Sequence, residues 1–140
     1  MRRIFFPLIV LLSVLFVTAC TTVANIPEGL SPAELIQRAQ EARDKNRYGV
    51  AMQYYQVLLE RNITNIDLVC EAEYEIAFIQ YKQKKYTQAK AGFYALLERY
   101  EILGRENLPP QFEILARRVL STISEKENMR RPSSRKQKTP

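Results

Sequence analysis

Two stretches of the chain carry the same pattern, AELIQRAQEARDKNRYGVAMQYY at residues 33–55 and EYEIAFIQYKQKKYTQAKAGF at residues 73–93. At an offset of 38 residues (Ala51 to Ala89), small, aromatic and leucine positions coincide in one register. The coinciding pairs are Ala39/Ala77, Tyr48/Tyr86, Ala51/Ala89, Tyr55/Phe93 and Leu58/Leu96. Small residues at this spacing let two helix backbones approach closely, and the aromatic residues fill the wider gaps. The pattern therefore predicts two copies of one antiparallel helical hairpin.

This register resembles the tetratricopeptide repeat, which pairs antiparallel helices through small residues. The match departs from the family where Arg38 stands in place of the large apolar residue present as Ile76, and no proline closes either unit. The offset also exceeds the usual period of about 34 residues, which predicts an extended loop at Asn62–Asp67. The resemblance implies an all-α fold of about two repeats, with a concave groove lined by the first helix of each pair.

Helix signals divide residues 31–127 into five helices. Ser31 and Glu34 form a capping box around Pro32, which suits the first helical position. The first predicted helix is Pro32–Lys45, and the second follows the Asn46–Arg47 turn and ends at Arg61. The third is capped by Asn65 or Asp67 and ends at Gln83, and the fourth is Tyr86–Tyr100. The fifth is opened by Pro109 and Pro110 and ends at Lys126. The fifth carries a single apolar stripe, so it is either a capping helix or the first half of a third repeat.

The N-terminal residues 1–19 have the features of a secretory signal peptide. Arg2 and Arg3 precede the apolar run Ile4–Val17, which is short for a membrane span. The ending Val-Thr-Ala-Cys at Cys20 resembles the lipobox of bacterial lipoproteins, which implies cleavage before Cys20 and attachment of diacylglycerol and a further chain such as palmitate. An ordinary signal peptide or an uncleaved anchor is the alternative. Residues 20–30 are predicted to be a lipidated tether.

The positive charge of the chain lies outside its predicted folded part. The net charge of the whole chain is +6, yet Cys20–Met129 has a net charge of −1. The difference comes from two cations of the predicted signal, Arg2 and Arg3, and five cations near the C-terminus, Arg130, Arg131, Arg135, Lys136 and Lys138. This distribution argues against a nucleic-acid-binding domain. Residues 128–140 are predicted to be a basic disordered tail, because they are rich in Pro, Ser and cations with no apolar residue after Met129.

The residue types argue against an enzyme. The chain has no histidine, so the commonest general base and metal ligand is absent. We expect no metal site and no cofactor, and we interpret Glu71, Glu73 and Glu75 as a solvated helix surface. Cys70 has no cysteine partner once Cys20 is lipidated, and we expect it to be a partly buried hydrophobic residue.

A surface for a protein partner is the better hypothesis. The repeat resemblance implies that the groove is lined by Ile36, Gln40, Arg43, Tyr74, Phe78, Tyr81 and Lys82. Tyr74, Phe78 and Tyr81 form one aromatic stripe, which serves either as core or as a partner-binding surface. Ile76, Ala77 and Ile79 supply another apolar face of the same helix, and this favours a partner for one of the two faces.

The lipobox, the tether, Ser-Pro-Ala-Glu-Leu at 31–35 and the two Tyr-x-x-Ala motifs together resemble the outer-membrane lipoproteins of the β-barrel assembly machine (the BamD type). That family has five repeats, whereas two repeats and one further helix are recognised in this sequence. The resemblance implies a periplasm-facing scaffold that binds a barrel subunit or unfolded outer-membrane proteins. Thr21, where an aspartate would favour the inner membrane, is compatible with the outer membrane. The alternative is a repeat adaptor lipoprotein for cell-wall synthesis or envelope integrity.

Overall fold

The computed structural model describes residues 24–130, which are all-helical with no strand. The α helices are α1 (Pro32–Asp44), α2 (Tyr48–Arg61), α3 (Ile66–Lys82), α4 (Tyr86–Leu103) and α5 (Pro110–Arg130), and a short 3-10 helix spans Arg105–Asn107. Helices α1 and α2 form one antiparallel hairpin, α3 and α4 form a second, and α5 packs against α4 and α3. The prediction of an all-α fold built from helical hairpins is confirmed.

The two hairpin turns have the same backbone geometry. Asn46 and Lys84 occupy equivalent positions and both have a positive φ, 56° and 63°. In each turn the next residue, Arg47 or Lys85, donates its N–H to the carbonyl five residues earlier, at 2.8 and 2.9 Å. The repeat seen in the side chains is therefore also a repeat of the main chain.

Small residues lie where the hairpin helices approach each other. Ala39, Ala51, Ala77 and Ala89 are all at most 1% exposed. In the second hairpin the approach is closest at Gly92, where an added Cβ would lie 2.9 Å from the Cβ of Ala77. The larger members of the register, represented by Tyr55 and Phe93 at 0% exposure, fill the space beside these contacts.

The extra residues of the long offset form helix rather than loop. The connection between the hairpins is Asn62–Asn65, shorter than the predicted Asn62–Asp67, and the Asn65 side chain caps α3 by accepting the N–H of Leu68 at 3.3 Å. Helix α3 has 17 residues and α1 has 13. Because an α-helix turns every 3.6 residues or so, an extension of this size adds about one turn and keeps the buried face of α3 in register.

Helix α3 is apolar on two sides because it contacts two layers of the same chain. Ala72 and Ile79 belong to a core shared with α1 and α2. Cys70, Tyr74 and Ala77 belong to a second core shared with α4 and α5. The two apolar faces that suggested an external partner are thus largely accounted for within the molecule.

Helix α5 covers the second hairpin with one face. Its buried residues are Ala116, Val119, Leu120 and Ile123. The outward positions are polar apart from Ile114 and Met129, which are 59% and 78% exposed. A polar outer face is what a terminal capping element requires, so within the described residues α5 has the character of a cap. The helix continues to Arg130, so residues 128–130 are helical rather than disordered, and 131–140 lie outside the described part.

The segment before α1 packs on α2 and is no free tether from Ala24 onward. Ala24 donates its N–H to Oε1 of Gln53 at 2.6 Å. Arg61 donates to the carbonyls of Pro27 and Glu28 at 3.2 and 2.8 Å. The predicted signal peptide 1–19, Cys20 and the first tether residues lie outside the described part of the chain. Over residues 24–130, no helix combines the length and apolar character needed to cross a membrane.

Candidate binding groove

The aromatic stripe of α3 is continuous in the structure. The Tyr74 and Phe78 rings stack with centroids 5.8 Å apart, and the Phe78 and Tyr81 centroids are 5.9 Å apart. Residues four and three positions apart face the same side of a helix, which is why these rings meet. The stripe nevertheless divides into three different environments.

Tyr74 is core. It is 7% exposed, and its ring centroid lies 5.7 Å from that of Phe93 and 5.7 Å from that of Phe112 on α5. Burial, with a smaller contribution from Glu75, raises the pKa of Tyr74 to about 12. The predicted partner-binding role needs correction here, because α5 covers this ring.

Tyr81 is half-buried at the junction with the end of α5. Lys126 donates to its hydroxyl at 2.9 Å, and the Nζ atom lies 4.9 Å from its ring centroid. Tyr86 continues the row at 6.0 Å, with the guanidinium of Arg130 lying 5.7 Å from that second ring. Cation–π contacts of this kind fasten α5 to the second hairpin and leave Tyr81 only partly accessible.

Phe78 remains open toward the first hairpin, where a cavity of about 330 Å³ lies between the two repeats. Its lining residues are Arg43, Asp44, Asn46, Tyr48, Phe78 and Lys82. Three of the predicted residues, Arg43, Phe78 and Lys82, are therefore brought together around one accessible space. Ile36 and Gln40 are half-buried farther along α1 and do not line this cavity.

An ion pair crosses the groove between the hairpins. Nη1 of Arg43 lies 2.6 Å from Oε2 of Glu75, and their side chains are 24% and 15% exposed. Burial acts to lower the pKa of Arg43, but the Glu75 carboxylate outweighs it and the pKa is raised. The hydroxyl of Tyr55, whose charged neighbours include Glu75 and Arg43, is buried without a hydrogen-bond partner among the described residues. Polar groups thus lie directly behind the cavity-lining side chain of Arg43.

Sequence reasoning missed Glu75 because it treated the three glutamates as a solvated surface. Glu73 instead pairs with Arg99 of α4, at 2.5 and 3.0 Å. Glu75 and Glu73 therefore point to different sides of α3, the first toward α1 and the second toward α4. A usable signal was present, since Glu75 lies three residues before Phe78 and seven before Lys82, on the same helix face.

Two further cavities lie outside the predicted groove. One of about 570 Å³ lies on the outer face of the first hairpin and is lined mainly by polar and charged side chains, including Arg38, Glu41, Lys45 and Arg47. One of about 410 Å³ lies beside the close helix contact, lined by Leu59, Ile76, Ala91, Gly92 and Ala95 among others. Neither contains a predicted partner-binding residue.

The described residues offer little for covalent or metal chemistry. Cys70 is fully buried, and burial raises the pKa of its thiol, so the thiolate is disfavoured. Cys70 was predicted to be a partly buried hydrophobic residue, and it is more deeply buried than expected, at 0% exposure. Within residues 24–130 no group of three or more Cys, Asp and Glu side chains is arranged to hold a metal ion.

Comparison with known proteins adds one relative. An uncharacterized protein of Treponema pallidum (strain Nichols) is 36% identical over 122 residues, which covers 85% of this chain and 49% of the relative. The chain thus spans about half the length of that protein. No family model and no solved structure matches the chain.

Proposed function

We propose that the protein is a membrane-anchored interaction scaffold of the bacterial envelope, and that its partners are proteins of outer-membrane β-barrel assembly. The observation that supports a scaffold is the repeated hairpin, whose first helices bring Arg43, Phe78 and Lys82 around one accessible cavity. A groove lined by one aromatic ring and several hydrogen-bonding side chains suits an extended peptide or a partner helix better than a small substrate.

The chemistry of the cavity suggests what a partner segment would present. An apolar side chain would pack on the open face of Phe78. An acidic group or a chain carbonyl would lie against Lys82, which is exposed and makes no ion pair among residues 24–130. Arg43 is held by Glu75 and would contribute a fixed donor surface rather than a free charge.

The proposed anchor is the lipid on Cys20. The support is the sequence alone: a positive start, a short apolar run and the lipobox-like ending. Two or more acyl chains hold a protein on a membrane durably, since each buried methylene contributes roughly 0.8 kcal/mol. Outer-membrane attachment with the helices facing the periplasm is part of the same proposal.

The second candidate is an adaptor for cell-wall synthesis or envelope integrity. It is favoured by the largely polar outer face of α5, which ends the hairpin array within the described residues. A scaffold that needs later repeats for its barrel contacts would not find them in this part of the chain.

The test is gentle detergent extraction of the tagged protein from its native membrane, followed by mass spectrometry of its companions and of Cys20. The groove variant is Lys82→Glu. The control variant outside the groove is Tyr94→Ser, since Tyr94 is 58% exposed on α4 and does not line the cavity. We expect a barrel protein as the main companion of the wild type and of Tyr94→Ser, and its loss from Lys82→Glu. Cell-wall enzymes as the main companions would instead select the adaptor, and an unmodified Cys20 would remove the lipid anchor.

A further inference from the structure

Exposed cations gather at one end of the helical bundle, which we call the basic end. Both hairpin turns and the C-terminal ends of α3 and α5 meet there. Its exposed cations are Lys45, Arg47, Lys82, Lys84, Lys85 and Arg130. None of them makes an ion pair within residues 24–130, whereas the acidic neighbours Asp44 and Glu127 pair with Arg43 and Lys90. Glu41, which lines the outer cavity with Lys45 and Arg47, and Glu125 on α5 are exposed and also make no ion pair among these residues, so the basic end has more unpaired positive than negative charge.

Several cations away from the basic end are used inside the molecule, although Arg38 and Arg118 are exposed and make no ion pair among residues 24–130. Arg99 pairs with Glu73, and Arg105 and Arg117 both pair with Glu113. Arg61 is held by main-chain carbonyls of the N-terminal segment. The contrast means that the charge of the basic end is a local feature, even though the part of the chain from Cys20 to Met129 has a net charge of −1.

Helix stability does not account for two of these cations. Arg47 and Lys85 are the N-cap residues of α2 and α4, and neither side chain makes a capping hydrogen bond. Ser, Thr, Asp and Asn are the favoured N-caps, and a cation beside a helix N-terminus faces the positive end of the helix dipole. Both hairpins thus carry an unfavourable residue at the same place, which points to a requirement for charge there.

The course of the N-terminal segment brings the proposed anchor toward the same end. Ala24 contacts Gln53, in the second turn of α2, and Pro27 and Glu28 contact Arg61 at its far end. The segment therefore runs along α2 away from the basic end. Cys20 precedes Ala24 by only four residues, which span at most about 14 Å. A lipid on Cys20 would hold the basic end close to the membrane surface.

We propose that the basic end docks on the anionic lipid headgroups of the membrane that carries the anchor. This orientation rests on the lipid anchor of the proposed function. Anionic headgroups supply the complementary charge, and Arg131, Arg135, Lys136 and Lys138, which follow Arg130 in the sequence, have the same sign. Docking would set the helices upright, with the groove opening to the side rather than onto the membrane.

The test uses full-length protein reconstituted into vesicles, with a fluorophore on a single introduced cysteine and a quencher on the lipid headgroups. Thr87→Cys places the probe at the basic end, and Ile63→Cys places it in the loop at the other end; both sites are exposed. The vesicles are either zwitterionic phosphatidylcholine or a mixture with anionic phosphatidylglycerol. Cys70 is buried, so the fluorophore should label it little. Labelling of Cys20 itself would show that its lipid is missing.

The charge variant is Lys84→Asn with Lys85→Gln. Asparagine tolerates the positive φ of position 84, as Asn46 does in the first turn. The matched variant, Arg38→Gln with Arg118→Gln, removes the same charge from exposed positions away from the basic end. Lys82 stays unchanged because it lines the groove.

We expect quenching at Thr87→Cys, but not at Ile63→Cys, in anionic vesicles at low salt. The ratio of docked to undocked protein should fall about fivefold for each cation removed, or roughly 25-fold in the charge variant. The ratio should also fall for the wild type in 0.5 M salt, which screens the charges. The matched variant should behave as wild type. Equal quenching in both kinds of vesicle, or equal loss in the matched variant, would overturn the proposal. So would binding to soluble polyphosphate without docking on vesicles. Protein that fails to float with any vesicle would instead count against the anchor.

Discussion

The close helix contact at Gly92 predicts both the sign and the size of the stability change on replacing this glycine by alanine. Replacing glycine by alanine inside a helix normally stabilises it by about 1 kcal/mol. At Gly92 the new Cβ would lie 2.9 Å from the Cβ of Ala77, a distance that real Cβ atoms do not reach. Because the Ala77 Cβ is fixed to its backbone, α3 and α4 must move apart.

Overpacking of this kind costs roughly 1–3 kcal/mol. After the helical gain is subtracted, Gly92→Ala should lower the free energy of unfolding by about 1 kcal/mol. The matched variant is Gly49→Ala in the first turn of α2, where an added Cβ meets nothing within 4 Å. That variant should gain about 0.5 kcal/mol.

Urea unfolding followed by circular dichroism measures both variants, and thermal melting should separate them by about 6 °C, at roughly 4 °C per kcal/mol for a domain of this size. A double-mutant cycle with Ala77→Gly isolates the contact, since removing that Cβ should recover at least about 1 kcal/mol specifically in Gly92→Ala. If Gly92→Ala stabilised the protein as much as Gly49→Ala, or showed no coupling to Ala77→Gly, the close-approach reasoning would be refuted.

Three other predictions concern α3. Tyr74→Ala should lower the free energy of unfolding by about 3 kcal/mol in urea titrations, because the ring fills the space under Phe112; a loss near zero would contradict its role as core. Burial, and to a smaller extent the charge of Glu75, raises the pKa of the Glu71 carboxyl above its value in the unfolded chain. Wild-type stability therefore falls as pH rises from the unfolded-state pKa through the folded-state pKa. Glu71→Gln should therefore be more stable than wild type at pH 7 and equal to it at pH 3, and equal stability at both pH values would show the shift to be absent. Cys70 should react with a thiol reagent more than about a hundredfold slower in the native protein than in urea, because reaction requires opening of α3; comparable rates would place the thiol at the surface.

The fold was predictable because its signals are local and repeated. Ala39, Ala77, Ala51 and Ala89 follow helical spacing in one register, and all four are buried where expected. The turns repeat the same backbone, so side-chain pattern and main-chain geometry agree. The capping box at Ser31 also forms as predicted.

The sequence-based predictions that were wrong concern contacts between distant parts of the chain. The sequence of α3 shows two apolar faces, but only the docking of α5 tells that Tyr74 is covered by Phe112. The predicted loop Asn62–Asp67 was too long, although Asn65, one of the two predicted caps of α3, does cap the helix that begins at Ile66. Likewise, equivalent positions in the register diverge, since Gly92 lies at the close helix contact and Tyr54, its counterpart, lines the outer cavity.

The groove and the basic end meet at Lys82. This residue lines the cavity beside Phe78. Asn46 of the first turn and Tyr48 at the start of α2 line it too, so the cavity lies at the same end of the bundle as the exposed cations. If that end docks on headgroups, a segment bound in the groove is held beside the membrane surface rather than away from it. A scaffold so oriented would favour partners that emerge from, or enter, the same membrane, because a bound chain leaving the groove there need not cross the body of the protein to reach the lipid.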